Sequence, residues 1–168
     1  MALSDDLAMI AHQERGLRFQ QFDESQAWKV GSLLRRWGSE NQWPIVVDVR
    51  TFNRQLFFSA LPGSTPDNAD WVHRKYNVVK RYHRSSYAVG LEMAAKDSSL
   101  AERYDLPLRD YAAHGGAFPI AVVGASVVGC VTVSGLSQRQ DHAVVVSALC
   151  DVLDLDVADF ALSDPAAP

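Results

Sequence analysis

The chain has little of what usually announces a function. It has two cysteines, Cys130 and Cys150, in 168 residues, and no CxxC pair. Two buried reduced thiols are the favoured reading, with a metal or redox pair as the minor alternative. None of its five histidines, His12, His73, His83, His114 and His142, forms HxxxH, HExxH or HxH, so no zinc site is expected. It has no P-loop and no GxGxxG opening a helix, so neither common nucleotide-binding scheme is supported. No apolar run approaches the ~20 residues of a membrane span. The first residues, MALSDDLAMI, are acidic and lack the basic and apolar regions of a secretory signal. These features read as a cytoplasmic protein with no membrane partner.

What is present is ordinary globular composition: 48% hydrophobic and 21% charged, with a net charge of −4. A negative chain argues against general nucleic-acid binding. The length fits one domain with a full core. The reading is a single domain over residues 1–162 and a frayed tail over 163–168.

Charge is unevenly spread. Trp71–Arg84 holds Arg74, Lys75, Lys80, Arg81 and Arg84 and no acid, while Gln140 onward holds six aspartates and no Lys or Arg. Such blocks are solvated faces or complementary surfaces, within one subunit or between two.

Periodicity orders the chain. Ser4 is placed as the cap of a first helix carrying Leu7, Ile10 and Leu17. Asp23 with Gln26 resembles a capping box, followed by an apolar stripe of Ala27, Trp28, Gly31, Leu34 and Trp37, ended at Gly38. Trp43–Val49 and Gln55–Leu61 read as a hairpin. Thr65 caps and Pro66 opens a helix to about His83, on which Trp71, Lys75, Val78 and Tyr82 share a face. Lys75 in that stripe is expected to snorkel. The aromatics beside the basic residues read as core rather than a nucleic-acid surface. Ser85–Ala95 is ambiguous, with a short turn of helix near Ser98–Tyr104. Phe118–Val123 and Val127–Val133 form a second hairpin, and Gln138–Leu155 a last helix. The order α-α-β-β-α-α-β-β-α predicts an α+β domain.

Candidate chemistry concentrates between His114 and His142. Gly115 and Gly116 allow close backbone approach, and their amides suit an anion, although a plain turn is the commoner reason for such a pair. Ser134 and Gly135 leave a strand just before a helix start that carries Asp141 and His142. That start offers unpaired N–H groups, or else is closed by capping. Ser134, Asp141 and His142 do not form a hydrolytic triad. The flanks lack GxSxG, and adjacent helical residues point about 100° apart.

The run Gly115-Gly116-Ala117-Phe118-Pro119-Ile120, then Val128-Gly129-Cys130-Val131-Thr132-Val133-Ser134-Gly135, resembles the haem-degrading-domain superfamily. That superfamily is related to the glycolate-operon G protein and to extracellular haem-binding sensors. Residues 62–90, with DYAAHGGAFPI and VSGLSQRQDHAVVV, resemble its small uncharacterised bacterial and fungal subgroup. The resemblance implies a profilin-like fold with a central antiparallel sheet flanked by helices, and homo-oligomers built from dimers. It implies haem as a candidate cofactor, with His114 or His142 as axial or distal group. The 115–116 amides and the last helix start would take propionates, and Lys75 or Arg84 would pair with the same carboxylates. Two other functions fit the residues. One is a non-enzymatic adaptor recruiting protein partners. The other is a small-metabolite enzyme using His114, Ser134 and Asp141 for proton transfer.

Overall fold

The computed structural model describes residues 2–163. The expected tail falls on 164–168 except for Ser163, and those five residues lie outside the described ones. Among the described residues, six α-helices and a short 3-10 helix (Val157–Asp159) accompany a five-stranded sheet. The helices are α1 (Ala2–Gly16), α2 (Glu24–Glu40), α3 (Pro66–Tyr82), α4 (Ser86–Ala95), α5 (Leu100–Tyr104) and α6 (Gln138–Val152). The strands are β1 (Arg18–Phe19), β2 (Val46–Thr51), β3 (Gln55–Ala60), β4 (Ala117–Val122) and β5 (Val127–Ser134). Their order is β1-β4-β5-β2-β3.

The two expected hairpins, β2–β3 and β4–β5, are antiparallel, and β2 joins β5 antiparallel from Val46↔Ser134 to Thr51↔Gly129. The fold is the expected α+β architecture with one addition. β1 pairs parallel with β4 at Arg18↔Ala121 and Phe19↔Val122, so the sheet is mixed. Two residues carry too little alternation to announce a strand, and only β4 holds them extended.

Alternation along each strand sorts the residues onto two faces. Val47, Val49, Phe118, Ile120, Val131 and Val133 pack under α2 and α6 with Val30, Leu34, Val145 and Leu149. On the other face Ala117 and Cys130 meet Tyr76 and Val79 of α3.

Several boundaries move for identifiable reasons. α1 starts by Ala2, so Ser4 lies inside it. Gly38 does not end α2. A Cβ there would stand 2.6 Å from Leu61 Cδ2 and 2.9 Å from Ile45 Cδ1, so this glycine lets the helix lie against the chain beyond it. Gln42 takes the left-handed conformation instead. Trp28 leaves the apolar stripe. It is 65% exposed and meets Phe57 edge-on at 5.8 Å. α6 stops at Val152 because Asp154 turns left-handed and Leu155 N–H donates back to the Cys150 carbonyl at 2.9 Å. Both cysteines are free and buried, as expected. Burial raises the Cys130 thiol to about 12 and that of Cys150 to about 11.

Candidate functional site

Three local devices bring one group of residues together. Thr65 and Pro66 start α3 with a reciprocal Thr65–Asn68 cap. Four residues apart on that helix, Trp71 and Lys75 then share a face. Ser137 and Gln140 close α6 with a second capping box, which sets Asp141 in its first turn. Gly116 ends the loop before β4 at φ +133°, where an L side chain is strained. A Cβ at Gly116 would lie 2.8 Å from Lys75 Nζ, so the glycine makes room for the amine.

Lys75 does not snorkel. Its side chain is 4% exposed, and Nζ donates to Asp141 Oδ2 at 2.9 Å and to the Val133 carbonyl at 3.2 Å. The other Asp141 oxygen, Oδ1, accepts Leu136 N–H at 2.9 Å. Burial pulls the Lys75 amine below its ordinary pKa and pushes the Asp141 carboxyl above its own; their mutual attraction opposes both shifts. The basic and acidic blocks therefore meet at one point inside a single chain.

Lys75, Asp141, Ser134 and Gly135 line a cavity of about 260 Å³, with His114 and Trp71 beside them. His114 stands at the exposed rim, edge-on to Trp71 at 5.2 Å. Partial desolvation lowers its pKa, with Lys75 and Arg74 adding to the effect, so the imidazole is neutral near pH 7. Arg74 stacks over Trp71 at 4.4 Å.

Four of the candidate residues do not face this cavity. Gly115 and Gly116 lie behind it, and Gly115 N–H donates to Gln138 Oε1 at 3.3 Å. Part of the helix start is capped as well: Ser137 N–H donates to Gln140 Oε1, and Ser137 Oγ accepts Gln140 N–H. Capping, not an open anion cradle, uses these amides. His142 is fully buried against Tyr87 and Phe118, with Nε2 2.8 Å from Gln13 Oε1 and Nδ1 unpartnered. Burial drives its pKa down to about 3. Arg84 pairs with Glu92 at 2.6 Å and Glu14 at 3.7 Å.

Sequence reasoning missed Asn68, Trp71 and Gln138 as cavity walls. The Trp71–Lys75 spacing was the available signal. It also missed a second buried charge. Asp48, fully buried in β2, accepts two hydrogen bonds from Arg50 at 2.6 and 2.7 Å and one from Gln55 at 2.6 Å. Arg50 in turn lies 4.7 Å over Tyr76. An aspartate inside the apolar run VVDV was the clue. Among the described residues no three His, Cys, Asp or Glu side chains converge to hold a metal ion.

Comparison with known proteins gives the family. Residues 22–150 match the haem degrading protein HbpS-like family, and the chain belongs to it. The UPF0303 protein of Acidobacterium capsulatum is 55% identical over 162 residues, covering 96% of this chain and 98% of that relative. The crystal structure of the Ybr137w protein superposes with a TM-score of 0.82 at 29% identity, covering 88% of each chain. A PduOC:heme complex shares the fold at a TM-score of 0.67 and 13% identity, over 81% of this chain and 97% of that one.

The family implies haem, and the cavity does not fit it. A porphyrin needs an apolar slot beside its axial ligand. Here Lys75, Ser134, Asp141, Asn68 and Gln138 stand among the walls, with only Trp71 and Leu136 as large apolar faces, and the volume falls below the ~300–1,000 Å³ of ordinary ligand pockets. His142, the most enclosed histidine, faces Tyr87 and Phe118.

Proposed function

We propose that the cavity between α3 and the start of α6 binds a small ligand rich in acceptor oxygens, a short carboxylate. One observation carries this reading: the acceptors are used and the donors are left over. Both Asp141 oxygens are engaged by the chain's own groups. Lys75 keeps one N–H beyond its two bonds, and Asn68 and Gln138 spend their carbonyl oxygens on Thr65 N–H and Gly115 N–H. Their amide NH₂ groups, with Ser134 Oγ, remain for a guest. The walls that meet a ligand therefore donate, and buried donors reject a ligand that cannot accept. Asp67 sits at the exposed rim, where solvent screens its repulsion.

Calorimetric titration with propionate tests this. Saturable binding, weakened at least about ten-fold by Ser134→Ala through one lost hydrogen bond, supports it. Haemin is the competing probe. A stoichiometric Soret shift abolished by His114→Ala would replace the carboxylate by haem and overturn the reading.

The chain also presents a surface suited to self-association. β3 is the open edge of the sheet, with Phe58 47% exposed on it and Trp28 65% exposed beside Phe57. Apolar edges of this kind pair with other chains. This supports a homo-oligomer, and two buried unpaired thiols suit a reducing cytoplasm. Sedimentation of wild type beside Trp28→Glu tests it. Monomeric wild type overturns it.

A further inference from the structure

The surroundings of Lys75 suit a reaction as well as an electrostatic contact. Its amine is held from two sides, by Asp141 Oδ2 at 2.9 Å and the Val133 carbonyl at 3.2 Å. A tetrahedral nitrogen with two such partners has one remaining direction. Lys75 lines the cavity, and this third direction is the one left for a ligand there. In the ammonium form it carries the spare proton. In the neutral form, both N–H groups stay with their acceptors and the lone pair takes that place. Burial favours the neutral form, the usual origin of Schiff-base lysines. The carboxylate that would take the proton is already in contact and is itself drawn toward its protonated state by burial.

We propose that Lys75 forms a Schiff base with a small 2-oxo acid bound in this cavity. The proposal rests on the carboxylate reading above and adds a carbonyl carbon next to the bound carboxylate. The Lys75 lone pair attacks that carbon, a C–N bond forms, and the C=O π pair moves to oxygen. Asp141 relays a proton from nitrogen to that oxygen, giving a carbinolamine. Nitrogen then forms the C=N bond as the C–O bond breaks. Both amine protons leave with the carbonyl oxygen as one water, and nothing is oxidised or reduced. The remaining lysines, Lys29, Lys80 and Lys96, are exposed.

The test uses the full-length wild-type chain, pyruvate and cyanoborohydride at pH 7, with peptide mass mapping. The expected result is a reduced pyruvate adduct on Lys75, formed at least about ten-fold faster than on Lys29, Lys80 or Lys96, as a protected neutral amine requires. The rate saturates with pyruvate and falls when propionate competes. Adducts only on the exposed lysines, while propionate still binds, overturn the Schiff base and leave the carboxylate site standing. Absence of both adduct and propionate binding overturns the two together. Because the readout is on wild type, it does not depend on a Lys75 variant folding.

Discussion

The face of the sheet beneath α2 and α6 and the face beneath α3 are built from alternate residues of the same strands, yet they are stabilised differently. Val47, Val49, Val131 and Val133 look one way into apolar packing. Their neighbours Asp48, Arg50, Cys130 and Thr132 look the other way, paired across β2 and β5 as Asp48↔Thr132 and Arg50↔Cys130. The first face gains free energy in proportion to the area removed from water, whatever the partner's identity. On the second, stability requires each polar atom to find its partner, and the loss of one partner exposes the full desolvation cost of the other. The candidate site lies at the end of that second face. Donors can be left over for a ligand only where the fold has already buried polar groups.

The largest effect that would break this contrast is at the buried ion pair. Lys75→Met leaves Asp141 charged at 2% exposure and is expected to cost about 3–5 kcal/mol in urea unfolding. Adding Asp141→Asn removes the orphaned charge while keeping an acceptor for Leu136 N–H, and should restore more than half of that. A single-variant cost under about 1 kcal/mol would mean the pair is solvated and the faces do not differ.

On the apolar face, Leu34→Ala is expected to cost about 2–5 kcal/mol through transfer and cavity terms. No second substitution at a specific partner should rescue it. Propionate affinity, measured where the variant is folded, should not change. A shifted affinity would mean the two faces are coupled through the sheet.

Much of the first face was readable, because β-branched alternation and helical spacing report burial directly. The second was readable only in part. Lys75, His114, Ser134, Gly135 and Asp141 were singled out, and the fold brings them to one cavity. His142 was grouped with Asp141 by adjacency, but a helix turns its successive residues about 100° apart, so one faces the cavity and the other the core. The amides of Gly115 and of the α6 start looked available because a sequence does not show which side chain spends which donor. Gln138, Gln140 and Asp141 spend them. Asp48 passed unnoticed because Gln55 meets it only once β2 and β3 pair, and Arg50, two residues along β2, only once the extended strand puts both on one face.

Acid sharpens the comparison from the apolar side. His142 sits in the core with its pKa at about 3, against 6.5 when unfolded. Between those values the unfolded chain holds a proton that the folded chain refuses. Stability therefore falls as pH drops from about 6.5 toward about 3, by up to about 1.4 kcal/mol per unit. Asp141 works the other way: its raised pKa lets the folded state take a proton first on acidification, offsetting part of the loss. His142→Asn removes the imidazole term, so its stability-versus-pH line should be flatter than wild type across that window. Parallel lines would show that His142 is hydrated and titrates normally.

The smallest expected effect tests whether every polar atom on the second face needs its partner, or only the charged ones. Thr132 and Cys130 are both fully buried, and the Thr132 hydroxyl stands 3.3 Å from Cys130 Sγ. Neither is charged, since the thiol is raised to about 12. Thr132→Val alone removes a weak contact to sulfur and should cost about 1 kcal/mol. Adding Cys130→Val replaces both partners by apolar groups of similar shape, and the double variant should return to within about 0.5 kcal/mol of wild type in urea. That outcome would confine the polar requirement to Asp48–Arg50 and Lys75–Asp141, where charge makes a missing partner costly. A double variant costing several kcal/mol would instead mean that the uncharged pair belongs to one connected network with Asp48, its cross-strand neighbour.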